Sequence, residues 1–147
     1  MADKYESLKL ANQLCFPLYV CSKEIVKRYK PMLDKMNLTY TQYIAMMVMW
    51  ERERINVKEL GERLYLDSGT LTPVLKKLEQ KSFVKRSRDD EDERVLNVTL
   101  TDEGRKLKDK ALIISRKMLA CAGLSKEENN VLRGVLKKLL GEFDKNI

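Results

Sequence analysis

Residues 56–86, NVKELGERLYLDSGTLTPVLKKLEQKSFVKR, constrain this chain more than any other stretch. Asn56 is a good N-cap for a short helix, VKELGERL, and Asp67 is one for a second, SGTLTPVLKKLEQKS. Between them the chain has room only for a tight turn. The helical period then stops. FVKRSR and RVLNVTL are short segments rich in β-branched residues, and they flank the polar tip DDEDE, which is a hairpin signal. Two short helices and a hairpin cannot each bury an apolar face alone, so they must pack on one another and on a further helix.

That further helix is TQYIAMMVMWE (41–51), nearly apolar all round and therefore expected to be buried. Residues from about 12 to 30 read as an amphipathic helix, with Leu14, Leu18, Cys21 and Ile25 at helical spacing. Asn12 is its expected cap, which puts Cys15 in the first turn and leaves the interrupting Pro17 to cost only one backbone bond. After the hairpin, Thr101 begins a helix with Asp102 and Glu103 in its first turn, running to about Ala122, and Gly123 breaks it. Ser125 and Glu128 form a capping box for a last helix, KEENNVLRGVLKKLLGEF. The expected fold is mostly α: a winged helix-turn-helix over about 41–101, with N- and C-terminal helices (about 1–40 and 102–147) forming a dimerisation region, all within one domain of 147 residues.

Charge points to the partner. The chain carries 29 Lys and Arg against 22 Asp and Glu, a net +7, which favours a polyanion. The second short helix starts with Ser68, Thr70 and Thr72, small polar side chains able to approach base edges and phosphates from a helix N-terminus. Lys76, Lys77 and Lys81 follow, suited to phosphates, as do Arg86 and Arg88 beyond. The acidic tip looks wrong for such a role. Asp92 and Arg94, however, are two residues apart and project to the same side of an extended chain, so the carboxylate can aim the guanidinium into a minor groove. Read alone, the same pair is also an ordinary surface salt bridge of little energetic value.

The chemistry of catalysis is largely excluded. With no His, neither a Ser-His-Asp nor a Cys-His system can be built. No cysteines have zinc-finger spacing, so neither a metal nor a cofactor is expected. No apolar run approaches the roughly 18 to 20 residues of a membrane span. The N-terminus, MADKYESLKL, lacks the pattern of a signal peptide, so the expected compartment is the cytoplasm.

DERVLNVTLTDEG resembles the wing motif of the multiple-antibiotic-resistance (MarR) regulators, and the likeness extends through LTYTQY and LGERLYLDSGTLTPVLKKLE to the flanking helices. QLCF, with LYLDSGTLTP, is most similar to their organic hydroperoxide resistance (OhrR) branch. The resemblance implies an obligate homodimer that binds a pseudo-palindromic operator on double-stranded DNA as a repressor. Ser68, Thr70, Thr72, Lys76 and Arg94 would meet DNA, with Asp92 supporting the wing. It also implies that Cys15 senses organic hydroperoxide with Tyr19, Tyr29 and Tyr40 as aromatic partners, and that Cys121 is a candidate resolving thiol forming an inter-subunit disulfide. Pro17 departs from the branch, which has a large apolar residue there.

The residues add a mechanical constraint. Tyr19 shares a helix face with Cys15, but Tyr29 lies fourteen residues on, about 21 Å along a continuous helix. Only a two-fold partner could bring Tyr29 to the sulfur, where a phenol hydrogen bond favours the thiolate. Without the resemblance, Cys15 reads as an inert packed thiol, the usual case for a free cysteine. Cys21, on the opposite face, reads as packing. Two other readings stand beside the thiol switch: a regulator answering a small aromatic ligand in the dimer cleft, and a thiol peroxidase. Against the enzyme, no Arg or Thr stands beside Cys15 in sequence and no general base is in view.

Overall fold

The computed structural model describes residues 2–144. Two 3-10 turns, Glu6–Leu8 and Leu10–Asn12, precede α1 (Cys15–Asp34), α2 (Tyr40–Arg52), β1 (Arg54–Asn56), α3 (Val57–Leu64), α4 (Ser68–Gln80), β2 (Val84–Arg88), β3 (Leu96–Leu100), α5 (Asp102–Lys106), α6 (Lys108–Cys121) and α7 (Lys126–Asp144). The chain divides into two compact units, one up to Ala111 and one from Leu112 onward.

In the first unit the expected caps do their work. The Asn56 side chain accepts the Glu59 N–H at 2.8 Å, and Asp67 accepts that of Thr70 at 2.8 Å. α2 opens on a full capping box. Thr39 Oγ1 accepts the Gln42 N–H at 3.3 Å, and Gln42 Oε1 accepts the Thr39 N–H at 3.1 Å. Tyr43, Ala45, Met46, Met49 and Trp50 of α2 are buried with Leu60, Leu71, Val74, Leu75, Leu78, Val84, Val98 and Leu100, while Met47 is exposed. α2 is thus buried on most of its surface rather than all round.

The hairpin β2–β3 pairs Val84 with Leu100 through to Arg88 with Leu96. Sequence pattern missed its third strand. β1 pairs antiparallel with β3, Ile55 opposite Val98, giving the order β1-β3-β2. A strand of three residues is too short to show a period of two.

Three further expectations need correction. Asn12 does not cap α1. It lies in a 3-10 turn, where its amide donates to the Glu6 carbonyl and carboxylate at 2.9 and 3.0 Å, and α1 begins at Cys15 behind Leu14, with no side-chain cap. α1 also continues past residue 30 through Pro31, which has no N–H to give the Lys27 carbonyl. The helix that follows the wing is interrupted at Leu107, so it forms two elements rather than one.

In the second unit, the Ser125–Glu128 box caps α7. Each backbone N–H is held by the other's side chain, at 2.8 and 3.1 Å. Gly123 precedes it at φ +68, a left-handed turn suited to glycine. α7 has no buried residue, and Val131, Leu132, Val135, Leu140 and Phe143 are exposed along it. Leu14, Phe16, Tyr19 and Ile25 of the first unit are exposed as well, so the apolar stripe read on α1 is uncovered over much of its length.

Candidate nucleic-acid interface and thiol site

α4 is two-faced. Leu71, Val74, Leu75 and Leu78 are buried, while Ser68, Thr70, Thr72, Lys76 and Lys77 are exposed. The spacing of the four apolar residues dictates this, because i, i+3, i+4 and i+7 fall on one side of a helix. The first turn of α4 therefore presents hydroxyls and backbone N–H groups to solvent at the positive end of the helix dipole.

Lys81, expected to serve phosphates, is held elsewhere. Its Nζ donates to the Asn37 carbonyl at 2.6 Å and to Gln42 Oε1 at 2.8 Å, tying the end of α4 to the turn before α2. Burial, and secondarily the nearby Lys77 charge, lowers its pKa.

On the wing, Arg94 and Asp92 form the expected pair, but across a turn rather than along an extended chain: the Val95 N–H donates to the Asp92 carbonyl at 3.0 Å. Arg94 Nε and Nη2 reach Asp92 Oδ1 and Oδ2 at 3.0 and 3.2 Å, and Oδ1 also accepts the Arg94 N–H at 3.0 Å. The Arg94 side chain stays 91% exposed. The hydrogen bonds from its side chain and backbone hold the Asp92 carboxyl below the usual range. Arg88 is exposed.

Arg86 is placed differently from expectation. Its N–H donates to Glu79 Oε2 at 2.8 Å, and its Nη2 and Nε donate to Oε1 at 3.1 and 3.3 Å. It is half-buried and joins β2 to α4. The backbone N–H of Arg86 is the largest cause lowering the Glu79 pKa. No sequence signal carried this pair, because the contact needs the turn after α4 to fold back.

Cys15 is exposed as the first residue of α1. Tyr19, one turn on, is exposed, with Lys23 Nζ 5.5 Å from its ring centroid. α1 runs unbroken past Tyr29, which leaves that phenol about 21 Å along the axis from Cys15 of the same chain. Tyr29 instead packs on α2, its ring centroid 5.2 Å from Tyr40 and 5.7 Å from Tyr43. Tyr43 was missed, although it lies three residues from Tyr40 and so on the same face. It stands 6.2 Å edge-on from Trp50. Burial raises the pKa of all three phenols, so each keeps its proton at neutral pH and acts as a donor. Cys121 is exposed at the end of α6, in the second unit.

Residues 27–111 match the family model described as transcriptional regulator SarA/Rot. The chain is 49% identical over 140 residues to the organic hydroperoxide resistance transcriptional regulator of Bacillus subtilis (strain 168), covering 95% of each chain. Among solved structures it resembles reduced AbfR bound to DNA (AbfR being a protein of Staphylococcus epidermidis), with a TM-score of 0.81 and 34% identity over 97% of this chain and 98% of that one. Disulfide-formed AbfR is also similar, with a TM-score of 0.65 and 35% identity over 93% of this chain and 96% of that one.

Proposed function

Because the chain belongs to the SarA/Rot family of MarR-type winged-helix transcriptional regulators, we propose that it is a cytoplasmic homodimeric repressor that leaves its operator when organic hydroperoxide oxidises Cys15. One observation carries the DNA half: the exposed hydroxyl-bearing start of α4, together with a wing whose Arg94 is extended into solvent and fixed by Asp92. Ser68, Thr70 and Thr72 face base edges and phosphates of the major groove, Lys76 and Lys77 face phosphates, and Arg94 enters the minor groove. Arg86 braces the wing through Glu79 and leaves the set of direct contacts. DNA binding by AbfR, to which the chain is similar, supports this half.

The uncovered apolar residues of α1, α6 and α7 support the homodimer. Exposed apolar residues in this number on a chain this size mark an interaction surface. On this reading the terminal segments, about 1–40 and 102–147, form the dimer, and about 41–101 bind DNA.

Cys15 carries the sensing half. It is the exposed first residue of α1, open to a hydroperoxide arriving from solvent. Its thiolate attacks the outer oxygen of the hydroperoxide. An S–O bond forms, the O–O bond breaks, and the alkoxide leaves as alcohol on taking a proton, giving a sulfenic acid at Cys15. Tyr19 of the same chain, and Tyr29 and Tyr40 together from the other protomer, donate hydrogen bonds to the sulfur. The sulfenic acid then condenses with the Cys121 thiol of the other protomer, releasing water and forming a disulfide. A relative that forms a disulfide supports this second step.

The test is operator release. Cys15→Ser binds as tightly as the unaltered protein and stays bound under organic hydroperoxide. Oxidised protein runs as a covalent dimer on a non-reducing gel, and Cys121→Ser does not. Release of the Cys15→Ser protein on oxidation would remove the sensor from this reading.

A further inference from the structure

The wing tip, DDEDE, places five acids where a DNA-binding surface wants positive charge. Two of them, Asp89 and Asp92, are half-buried, and Asp89 has more partners than any other side chain of the wing. Its Oδ1 accepts the backbone N–H of Glu91 at 3.0 Å and that of Asp92 at 3.4 Å. Its Oδ2 accepts Asn97 Nδ2 at 2.9 Å and lies 3.9 Å from Arg54 Nη2. Its own N–H donates to the Val95 carbonyl at 2.8 Å, closing the hairpin above the last pair, Arg88 with Leu96.

These contacts join three strands. Asn97 sits on β3 and is buried, 6% exposed, with its amide turned to Asp89. Arg54 sits on β1 and Asp89 directly follows β2. The carboxylate thus ties the loop to the sheet at one end and to the Asp92 backbone at the other. Asp92 in turn holds Arg94 through its own carboxylate. The order is sheet, Asp89, Asp92 backbone, Asp92 carboxylate, Arg94 guanidinium.

We propose that Asp89 is a positioning residue for DNA recognition: it fixes the wing loop on the sheet so that the Asp92–Arg94 pair is aimed at the minor groove. Two of the five tip acids then serve to orient a cation, and the loop's acidity is no longer at odds with its role. Loss of Asp89 leaves Arg94 present and charged but free to sweep with a loose loop. The entropy of ordering loop and side chain then falls on the binding step. The hydrogen bonds from Asn97 and the loop N–H groups keep the Asp89 carboxyl ionised below the usual range, so the brace persists through the neutral pH range.

This inference rests on the reading that Arg94 touches DNA, and a double-mutant cycle separates the two. Operator affinity is measured by fluorescence anisotropy for unaltered protein, Asp89→Ala, Arg94→Ala and the double variant, at fixed salt, on a footprinted operator duplex. Arg94→Ala is expected to weaken binding by about tenfold or more, and Asp89→Ala to lose most of that. In the Arg94→Ala background, Asp89→Ala costs no more than about twofold, because coupled residues are not additive. Preference for A·T over G·C pairs under the wing disappears in both single variants, while sensitivity to changes under α4 remains. A residue needed only for folding would lower both kinds of readout together. Asp89→Asn keeps an acceptor for the loop N–H groups and loses less; should the alanine variant not fold, the same cycle is run with Asp89→Asn, whose loss likewise vanishes in the Arg94→Ala background. Additive losses, or an Asp89→Ala affinity equal to that of the unaltered protein while Arg94→Ala is weak, overturn the brace. An Arg94→Ala affinity equal to that of the unaltered protein instead overturns the wing contact beneath it.

Discussion

Replacing Gly104 by alanine puts a methyl group where the structure has no room for one. A Cβ there would lie 2.2 Å from the Phe83 carbonyl oxygen, 3.0 Å from its carbon and 2.8 Å from Leu100 Cδ1. The first two are backbone atoms at the entry to the wing, and that carbonyl also accepts the Thr101 N–H at 3.2 Å. Relief requires α5 to retreat by about 1 Å, since ordinary contacts begin beyond roughly 3 Å. The retreat stretches the bond from Trp50 Nε1 to the Gly104 carbonyl, 2.8 Å and buried, past hydrogen-bonding range. Overpacking costs about 1–3 kcal/mol, and an unsatisfied buried indole donor about 1–3 kcal/mol more. The helix preference of alanine over glycine returns about 1 kcal/mol. The net loss is about 3 kcal/mol, which lowers Tm by about 6–12 °C for a chain of this length. Urea denaturation followed by tryptophan fluorescence measures it at fixed protomer concentration, because stability of an oligomer depends on concentration. Trp50 is the single tryptophan and touches the altered residue. A Gly104→Ala midpoint equal to that of the unaltered protein would refute the close-packing argument.

Arg94→Ala weakens operator binding by about 1–3 kcal/mol, whereas Arg105→Ala, whose guanidinium is paired with Glu53 and Asp102, changes affinity less than about twofold; equal losses remove the wing contact. Tyr29→Phe leaves operator affinity intact but slows hydroperoxide-driven release, read by stopped-flow, and an unchanged rate means the phenol does not serve the sulfur. Lys81→Met lowers stability by about 1–2 kcal/mol by removing two hydrogen bonds and leaves the salt slope of DNA binding as it was; a slope reduced by about one would make Lys81 a phosphate contact after all. The folded-state pKa values of Tyr29, Tyr40 and Tyr43 lie above their ordinary 10.0. The stability these phenols add is therefore fully present below pH 10 and lost as pH rises through the raised values. A urea midpoint that falls less steeply above pH 10 in Tyr40→Phe checks it, and an identical fall in both proteins counts against it.

What the sequence alone determined was local. Asn56, Asp67, Thr101 and the Ser125–Glu128 box cap helices with partners three residues away, so their spacing is their geometry. The Asp92–Arg94 pair is legible for the same reason, and the switch from a period of 3.6 to one of 2 marks the wing. Tertiary structure decided whatever depends on distant residues meeting. Trp50 finds Gly104 across 54 positions, Lys81 finds Asn37 across 44, and β1 finds β3. Arg86 reads as one more exposed cation until the turn after α4 brings Glu79 to it, and Asp89 as one more tip acid until β3 brings Asn97. Side-chain type states what a group can bond, but the partner is chosen by which backbone segments pack together, and packing depends on the buried surface of the whole unit rather than on any local pattern.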